Sequence, residues 1–158
     1  MIQAPYSSFK TMPDGSSSHF ATSFIPAGTV ILNQTGNTSQ KHGTVHSIQV
    51  TPDLHVDTLA PLRFTNHSCN ANSRIVIETT PEISIKLIAL RDINEGQAVT
   101  YPYYTSEYKM VAPFDCQCGH GKCLGKVQGY YFLEDKSMVP DTLLSSCVVT
   151  LRDQESRK

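Results

Sequence analysis

Apolar side chains occur along this chain in short clusters, and no long stretch repeats them at the spacing of a helix. The two clearest clusters are residues 74–78 and 84–90, which are rich in β-branched side chains and are separated by residues 79–82, TTPE. β-Branched residues favour extended backbone, and a short polar connection favours a reversal of the chain. The pattern therefore predicts a β-hairpin at residues 74–90.

Weaker strand patterns precede this hairpin. Residues 20–25 and 29–32 flank a short turn sequence, which predicts a unit of strand, turn and strand. Residues 45–50 alternate as a weak strand would. By contrast, residues 1–18 and 33–44 are mostly polar, and we expect a turn-like start and a loop there.

The remaining chain gives fewer signals of regular structure. Residues 57–59 could form a short helical turn, and residues 97–104 form an extended stretch that a proline interrupts. In the tail, residues 141–158, Asp141 favours a helix start whereas residues 148–151, VVTL, favour a strand, so both remain open. Taken together, the pattern predicts a mainly β protein with many short strands and long connections.

Composition indicates the size of the domain and excludes several classes of protein. The chain has 158 residues, which suits one domain, and 39% of them are hydrophobic, enough for an ordinary core. Its 13 basic and 14 acidic residues do not suggest a nucleic-acid footprint. No apolar run of about 20 residues is present, and residues 1–10, MIQAPYSSFK, do not resemble a secretory signal. We expect a nuclear or cytoplasmic protein with no membrane partner and no direct nucleic-acid binding.

Cysteine spacing points to a metal. The five cysteines are Cys69, Cys116, Cys118, Cys123 and Cys147. In a reducing compartment, clustered thiols favour metal binding, and the C-x-C-x4-C run at residues 116–123 offers three of the four ligands of tetrahedral zinc. Cys69 could supply the fourth, His120 is a local rival, and free or disulfide-linked cysteines are the alternative. We assign Cys147 to packing, because a buried thiol behaves as a small hydrophobe.

Residues 63–72, RFTNHSCNAN, gather polar side chains in an unusual way for a soluble domain. Asparagine, histidine, serine and cysteine follow one another directly before an apolar strand. If Cys69 joined a zinc site with the 116–123 loop, the metal would tie two distant stretches into one wall and would contribute to folding.

Four motifs in order resemble SET-domain protein-lysine methyltransferases with a post-SET zinc module. Residues 63–72 resemble the family signature R-F-x-N-H-S-C-x-P-N, and residues 96–103, GQAVTYPY, resemble G-E-E-L-T-Y-D-Y. Residues 116–125, CQCGHGKCLG, look like the post-SET module, and residues 19–31 resemble the opening strands of the domain. The resemblance covers about residues 16–130.

This resemblance implies a fold of several small β-sheets with a pseudoknot, in which residues 63–72 thread under the loop at 96–104. It places a SET domain at residues 1–112, a post-SET zinc module at 113–130 and a C-terminal extension at 131–158. It also implies S-adenosyl-L-methionine as methyl donor, one structural zinc ion, and a lysine side chain of a protein, a histone or another, as acceptor.

The same resemblance implies roles for individual residues. Tyr103 would be the catalytic tyrosine beside the transferred methyl group, and a hydroxyl on Tyr101 would limit the product to mono- or dimethylation. The cofactor-binding set would be Ser16, Ser18, Phe20, Arg63, Phe64, Asn66, His67, Tyr103 and Leu124. The metal ligands would be Cys69, Cys116, Cys118 and Cys123. Ser68 and Asn72 would brace the crossing, whereas Tyr104 and Tyr108 would either line the lysine channel or pack.

Three positions depart from the family pattern. Residues 16–18, SSS, stand where the family has Gly-x-Gly, Pro102 replaces an acidic residue and Ala71 replaces a proline. Serine adopts a positive φ less readily than glycine, so the loop would shift or bind the cofactor more weakly. The alternatives to a lysine methyltransferase are a degenerate SET fold that binds a protein partner without turnover, and methyl transfer to a small molecule.

Overall fold

The structure, a computed structural model, describes residues 1–157 with the exception of the Ile2 side chain; Lys158, the end of the predicted tail, lies outside the described residues. Within this range the strands are β1 (Ile2–Gln3), β2 (Ser7–Thr11), β3 (Ser17–Ala21), β4 (Val30–Gln34), β5 (Ser39–Gln40), β6 (Ser47–Thr51), β7 (Leu54–Asp57), β8 (Asn66–His67), β9 (Ser73–Glu78), β10 (Ser84–Ala89), β11 (Thr100–Tyr101), β12 (Phe114–Asp115) and β13 (Lys126–Val127). The described part of the chain has one α-helix, α1 (Ser146–Glu155). Short 3₁₀ turns lie at Leu62–Phe64, Tyr103–Thr105, Tyr130–Phe132, Lys136–Met138 and Asp141–Leu143. The mainly β prediction is confirmed.

The predicted hairpin forms half of the largest sheet. β9 and β10 pair antiparallel with Leu87 opposite Ile75, and the sheet runs in the order β1-β4-β10-β9. Ile75 and Leu87 are buried in the core. The prediction of a hairpin at residues 74–90 is confirmed, because its alternating apolar side chains have one buried face to fill.

The N-terminal predictions were partly wrong. Residues 1–18 are not merely turn-like, since β2 pairs with β3 in a two-stranded sheet in which Phe9 lies opposite His19. β2 is largely exposed, so it left no apolar alternation in the sequence. The strand, turn and strand unit predicted at residues 20–32 is found in part: β3 ends at Ala21 rather than at residue 25, and β4 follows at Val30–Gln34 in a different sheet.

The middle of the chain contains a sheet that the sequence signalled only in part. β5, β7 and β6 pair in the order β5-β7-β6. β6 fits the weak strand at residues 45–50, and β5 lies inside the expected loop at 33–44. The helical turn expected at 57–59 is absent: β7 ends at Asp57, and a 3₁₀ turn forms only at Leu62–Phe64. Short polar strands such as β5 depend on main-chain pairing rather than on apolar side chains, so the pattern did not reveal them.

The C-terminal tail forms the helix α1. α1 begins after Ser145, whose Oγ accepts the backbone N–H of Val148. Asp141, the predicted cap, instead accepts a hydrogen bond from Arg152 Nη1 at 2.6 Å. Cys147 and Val148 are buried. The apolar residues that favoured a strand therefore belong to a helix that packs one side against the protein core.

The apolar side chains form two buried clusters. The first lies among the sheets and includes Ile25, Leu32, Leu87 and Tyr101. The second is built from the later part of the chain: Tyr104, Tyr108, Tyr130, Leu133, Val139 and Val148. Tyr104 and Tyr108 therefore pack in the second cluster. Within residues 1–157, no helix is long and apolar enough to cross a membrane.

Candidate functional site

The site is organised by a contact between the two segments whose motifs the sequence singled out. β8 and β11 pair parallel, with Asn66 beside Thr100 and His67 beside Tyr101. Asn72 braces the same contact, because its Nδ2 donates to Ala98 O at 2.8 Å and its Oδ1 accepts the backbone N–H of Thr100 at 3.0 Å. Ser68 accepts a local hydrogen bond from Asn70 N instead.

Tyr103 lies directly after this contact and is held at both ends. Its hydroxyl donates to the carbonyl oxygen of Thr65 at 2.8 Å, and its backbone N–H donates to Nδ1 of His67 at 3.1 Å. Thr65 is in turn hydrogen-bonded through Oγ1 to the buried His19 at 2.7 Å. Residues from both motifs therefore fix the position of one tyrosine ring.

The tyrosine hydroxyls at this site stay protonated at neutral pH. Burial, reinforced by Glu107, raises the pKa of Tyr103 to about 12. Burial also raises the pKa of Tyr101 well above its ordinary value. The two rings lie 4.8 Å apart between centroids. Both hydroxyls can therefore act as hydrogen-bond donors.

A cavity of about 220 Å³ opens beside these rings. Its walls include Arg63, Thr65, Tyr101, Tyr103, Glu107 and Phe114. Residues 44–48, Thr58, Leu62 and residues 110–112 complete the lining. Its volume can hold an alkyl side chain, and its lining presents hydroxyls and one carboxyl group.

The predicted cofactor-binding residues lie at several positions around the site. Asn66 Nδ2 donates to Ser17 O at 3.4 Å, which links β8 to the serine-rich segment. Ser18 and Phe20 lie on β3, and Phe20 forms a bridge with Ala98. Ser16 is held by Asp14, which accepts its backbone N–H and its hydroxyl hydrogen.

Three other residues of that predicted set lie further apart. Arg63 lines the 220 Å³ cavity, and its Nε donates to Thr58 O at 2.9 Å. Phe64 contacts Phe9 of β2, with ring centroids 4.7 Å apart. Leu124 lines a second cavity, of about 380 Å³, together with Tyr104.

The structure brings the four predicted metal ligands together. The Sγ atoms of Cys69, Cys116, Cys118 and Cys123 all lie within 4.8 Å of one another, and those of Cys69 and Cys116 are 3.9 Å apart. Thiolates around zinc at about 2.3 Å in a tetrahedron stand about 3.8 Å from each other. The donor set and its spacing therefore fit one zinc ion.

Backbone and side-chain donors surround these sulfur atoms. The N–H of Leu124 points at Cys69 Sγ at 3.4 Å, and the N–H of Gly125 points at Cys123 Sγ at 3.5 Å. Because His67 Nδ1 accepts a hydrogen bond, its proton is assigned to Nε2, which lies 3.3 Å from Cys69 Sγ. His67 thus links Tyr103 to the cysteine cluster.

Two of the four thiols differ strongly in acidity. Burial raises the pKa of Cys69 to about 12, whereas the backbone N–H of His120 lowers the pKa of Cys118 to about 6. A metal ion overrides such differences, because coordination requires thiolates and displaces the protons. His120 is outside the four-cysteine group, and its Nδ1 accepts the N–H of Lys122.

Sequence reasoning missed three residues of the site. Thr65 anchors the Tyr103 hydroxyl through its carbonyl oxygen, which no side-chain motif can reveal. Phe114 stands over Tyr103 and His67 with ring centroids 5.9 Å away from each. Glu107 was signalled only by its place four residues after Tyr103, which one helical turn brings to the same side.

Comparison with known proteins identifies the fold. The SET domain family profile matches residues 19–104. Among solved structures, KRYPTONITE in complex with mCHG DNA and SAH superimposes with a TM-score of 0.63 and 17% identity, over 78% of this chain and 29% of that chain. A second KRYPTONITE complex, with mCHH DNA, an H3(1-15) peptide and SAH, gives a TM-score of 0.62 at 18% identity, over 78% of this chain and 30% of that chain.

Similar sequences carry methyltransferase names. Methyltransferase flvH of Aspergillus flavus is 29% identical over 70% of this chain and 60% of its own length. Histone-lysine N-methyltransferase set9 of Neurospora crassa is 40% identical over 38% of this chain and 7% of its own length. The chain thus spans part of the relatives it matches, a little over half in the first case and less than a tenth in the second. With the family match over more than half of the chain, the small sheets, the β8–β11 contact and the cysteine cluster, the chain belongs to the SET domain family.

Proposed function

We propose that this protein transfers a methyl group from S-adenosyl-L-methionine to the side-chain amine of lysine in a protein. The observation that carries the proposal is the double anchoring of Tyr103, on Thr65 through its hydroxyl and on His67 through its backbone N–H. This arrangement holds a protonated hydroxyl at the wall of a cavity that can take an amine-bearing chain. The methyltransferase names of similar proteins support the same reaction class.

The residues present fit the proposed cofactor. Asn66 is exposed beside the Ser17 carbonyl, so its amide and the hydroxyls of Ser16 and Ser18 offer polar partners for an amino-acid group. Leu124 borders a cavity of about 380 Å³, within the usual range of small-molecule pockets. Phe20, Arg63, Phe64 and His67 lie outside the lining of this cavity, and in this proposal they contact the cofactor from β3 and from residues 63–67. When bound, S-adenosyl-L-methionine supplies an electrophilic methyl group.

The chain's own contribution is to prepare and aim the amine. A lysine amine has an ordinary pKa of about 10.4, so it must lose a proton before it can act as a nucleophile. Apolar walls disfavour its charged form. The Tyr103 hydroxyl then orients the nitrogen, and holding two reactants in line can lower a barrier by several kcal/mol. Tyr101, which is 6% exposed, would keep one hydroxyl near the amine and limit transfer to one or two methyl groups.

Zinc would act as a structural ion. Three of the four cysteines lie in residues 116–123, and the fourth is Cys69. A bound ion therefore joins these two parts of the chain beside Leu124 and His67. A closed set of four thiolates leaves no open position for catalysis. The metal would therefore hold the cofactor wall in place rather than take part in methyl transfer.

The kind of protein substrate and the cellular location are proposed from the names of the relatives. Relatives from Neurospora crassa and Arabidopsis thaliana are named histone-lysine N-methyltransferases, which supports a histone substrate and a nuclear location. The solved KRYPTONITE complex contains an H3(1-15) peptide. The flvH relative is named only as a methyltransferase, which supports the reaction class and leaves its acceptor unstated.

The test combines cofactor binding with labelled methyl transfer. Zinc-loaded protein is incubated with S-adenosyl-L-methionine carrying a labelled methyl group and with core histones, histone-tail peptides or lysine. We expect label in a lysine-bearing substrate, with mass spectrometry counting one or two methyl groups. Tyr103→Phe should lower transfer at least a hundredfold and leave cofactor affinity within threefold.

Tyr130→Phe is the matched control, because Tyr130 is a buried tyrosine of the second cluster and should keep full transfer. Equal transfer by Tyr103→Phe and the wild type would remove Tyr103 from the reaction. Tight cofactor binding with no labelled acceptor in any of these substrates would favour the interaction-module alternative.

A further inference from the structure

We propose that Glu107 is the group that receives the positive charge of the substrate amine and takes its proton before methyl transfer. This inference rests on the proposed function and names one further residue of the same site. It makes the 220 Å³ cavity a site for a cationic alkylamine, with a single carboxyl group at its wall.

The backbone places Glu107 next to the catalytic tyrosine. The N–H of Glu107 donates to the carbonyl oxygen of Tyr103 at 2.9 Å, which closes one turn of helical type after β11. Side chains four residues apart in such a turn lie on one side of it. Glu107 accordingly lines the same cavity as Tyr101 and Tyr103.

The carboxyl group is buried and held in position. Glu107 is 8% exposed, and its Oε1 accepts the backbone N–H of Gln49, on β6, at 2.9 Å. Its own carbonyl oxygen accepts the N–H of Tyr130 at 2.9 Å. Contacts with Gln49, Tyr103 and Tyr130 thus hold Glu107 in place. Its carboxyl group occupies a buried position of the kind that apolar side chains usually fill.

Among the described residues, no cationic side chain forms an ion pair with Glu107. The ion pairs of residues 1–157 join Lys86 to Glu78, and Arg152 to Asp141 and Asp153. Arg63 shares the cavity, but its Nε donates to Thr58 O. A buried carboxylate without a cation is costly, and a group of this kind in a cleft is a candidate for function. The missing charge is what a substrate ammonium would bring.

The other titratable groups around Glu107 do not compete for this role. Burial raises the pKa of Tyr103 and of Cys147, which faces Glu107 from α1, to about 12, and also raises the pKa of Tyr101 well above its ordinary value. His46 and Arg63 complete the ionisable lining of the cavity. Burial also raises the pKa of Glu107 to about 8, so its carboxyl group can exchange a proton near neutral pH.

The proton balance is simple. The ammonium, R–NH3⁺, gives one proton to the Glu107 carboxylate, which leaves R–NH2 and a neutral carboxyl group. The lone pair of R–NH2 then forms the nitrogen–carbon bond while the carbon–sulfur bond breaks and its electron pair stays on sulfur. The product, R–NH2CH3⁺, carries the positive charge, and Glu107 releases its proton through the cavity to solvent.

The test measures amine binding without turnover. n-Butylammonium chloride is titrated calorimetrically at pH 7 into the zinc-loaded full chain saturated with S-adenosylhomocysteine, in two buffers of different ionisation enthalpy. We expect saturable binding with the release of close to one proton, because the entering cation ionises Glu107. n-Butanol, which has no charge, should bind at least tenfold more weakly.

Glu107→Gln keeps the shape and an oxygen for Gln49 N–H but cannot ionise. It should bind n-butylammonium at least tenfold more weakly and release no proton, while Glu95→Gln, on an exposed loop, should match the wild type. In the wild type, affinity should rise as the pH increases towards about 8. Failure of the wild type to bind the amine, equal affinity in Glu107→Gln, or binding without proton release would each overturn the inference. None of these readouts needs methyl transfer, so they stand apart from a failure of the proposed activity.

Discussion

Tyr103 and Glu107 lie in the same turn, but the sequence singles out only Tyr103. Tyr103 belongs to a recognisable motif, and its ring position follows from hydrogen bonds to Thr65 and His67. Glu107 has no motif, and only the cavity shows that it faces the same space. The sequence therefore singles out a side chain that belongs to a motif, such as Tyr103, but does not reveal a backbone group or an isolated polar side chain, such as the Thr65 carbonyl or Glu107.

Glu107 also has a consequence for stability. Burial raises the pKa of its carboxyl group from 4.5 to about 8. Between these values the unfolded chain binds fewer protons at this group than the folded chain, so Glu107 makes the free energy of unfolding fall as pH rises. Burial lowers the pKa of His19 and His67 to about 4, which acts in the opposite sense below a pH of about 6.5, so we expect the net fall between about pH 6.5 and 8. The slope from one such group can reach about 1.4 kcal/mol per pH unit.

Urea unfolding at several pH values measures this slope. Glu107→Gln should flatten the decline over that window, whereas Glu95→Gln should retain it. A difference in free energy between the wild type and Glu107→Gln that stays constant from about pH 5 to about pH 8 would show that the carboxyl group is not held in its neutral form.

At the scale of elements, the sequence predicted those that bury an apolar face. The β9–β10 hairpin is correct because its alternating side chains fill the core. β2, β5 and β7 were missed because their pairing depends mainly on backbone hydrogen bonds. The helix α1 was ambiguous, since its β-branched residues favour strands intrinsically and only the second cluster decides between the two.

Helix α1 provides a direct test of that explanation. Ser145 caps its N-terminus by accepting the N–H of Val148 at 3.3 Å. Ser145→Ala should therefore lower the free energy of unfolding by about 1 kcal/mol. Ser156→Ala, at the other end of α1, should change it by less than about 0.5 kcal/mol. Urea unfolding compares the two, and an effect of the same size at both ends would argue against the assigned cap.

At the scale of the whole molecule, the cysteine cluster joins parts of the chain that are far apart in sequence. Cys69 follows β8, whereas Cys116, Cys118 and Cys123 lie between β12 and β13. The spacing alone left His120 and disulfides open; the four sulfur positions now favour a single metal ion. The division of the chain at residues 112 and 130 stays a prediction, and the second cluster crosses both boundaries.

Metal analysis tests the role of the cluster. We expect about one zinc per chain, since four thiolates complete a tetrahedral site. Cys123→Ser should lose the ion and unfold at lower temperature. Cys147→Ala, which removes the buried cysteine of α1, should keep the ion even if packing suffers. Zinc retained by Cys123→Ser, or lost from Cys147→Ala alone, would contradict the ligand assignment.

The central claim is that residues 66–69 hold the cofactor wall and the metal ligand in one peptide. Calorimetric titration of S-adenosyl-L-methionine into zinc-loaded protein, before and after removal of the ion by a chelator, tests it most directly. We predict binding with a Kd of roughly micromolar order to the zinc-loaded protein, and affinity at least tenfold weaker once the ion is removed. Absence of binding to the zinc-loaded protein would mean that the serine-rich segment 16–18 no longer forms the pocket, and equal affinity in the two states would contradict the link between cofactor wall and metal.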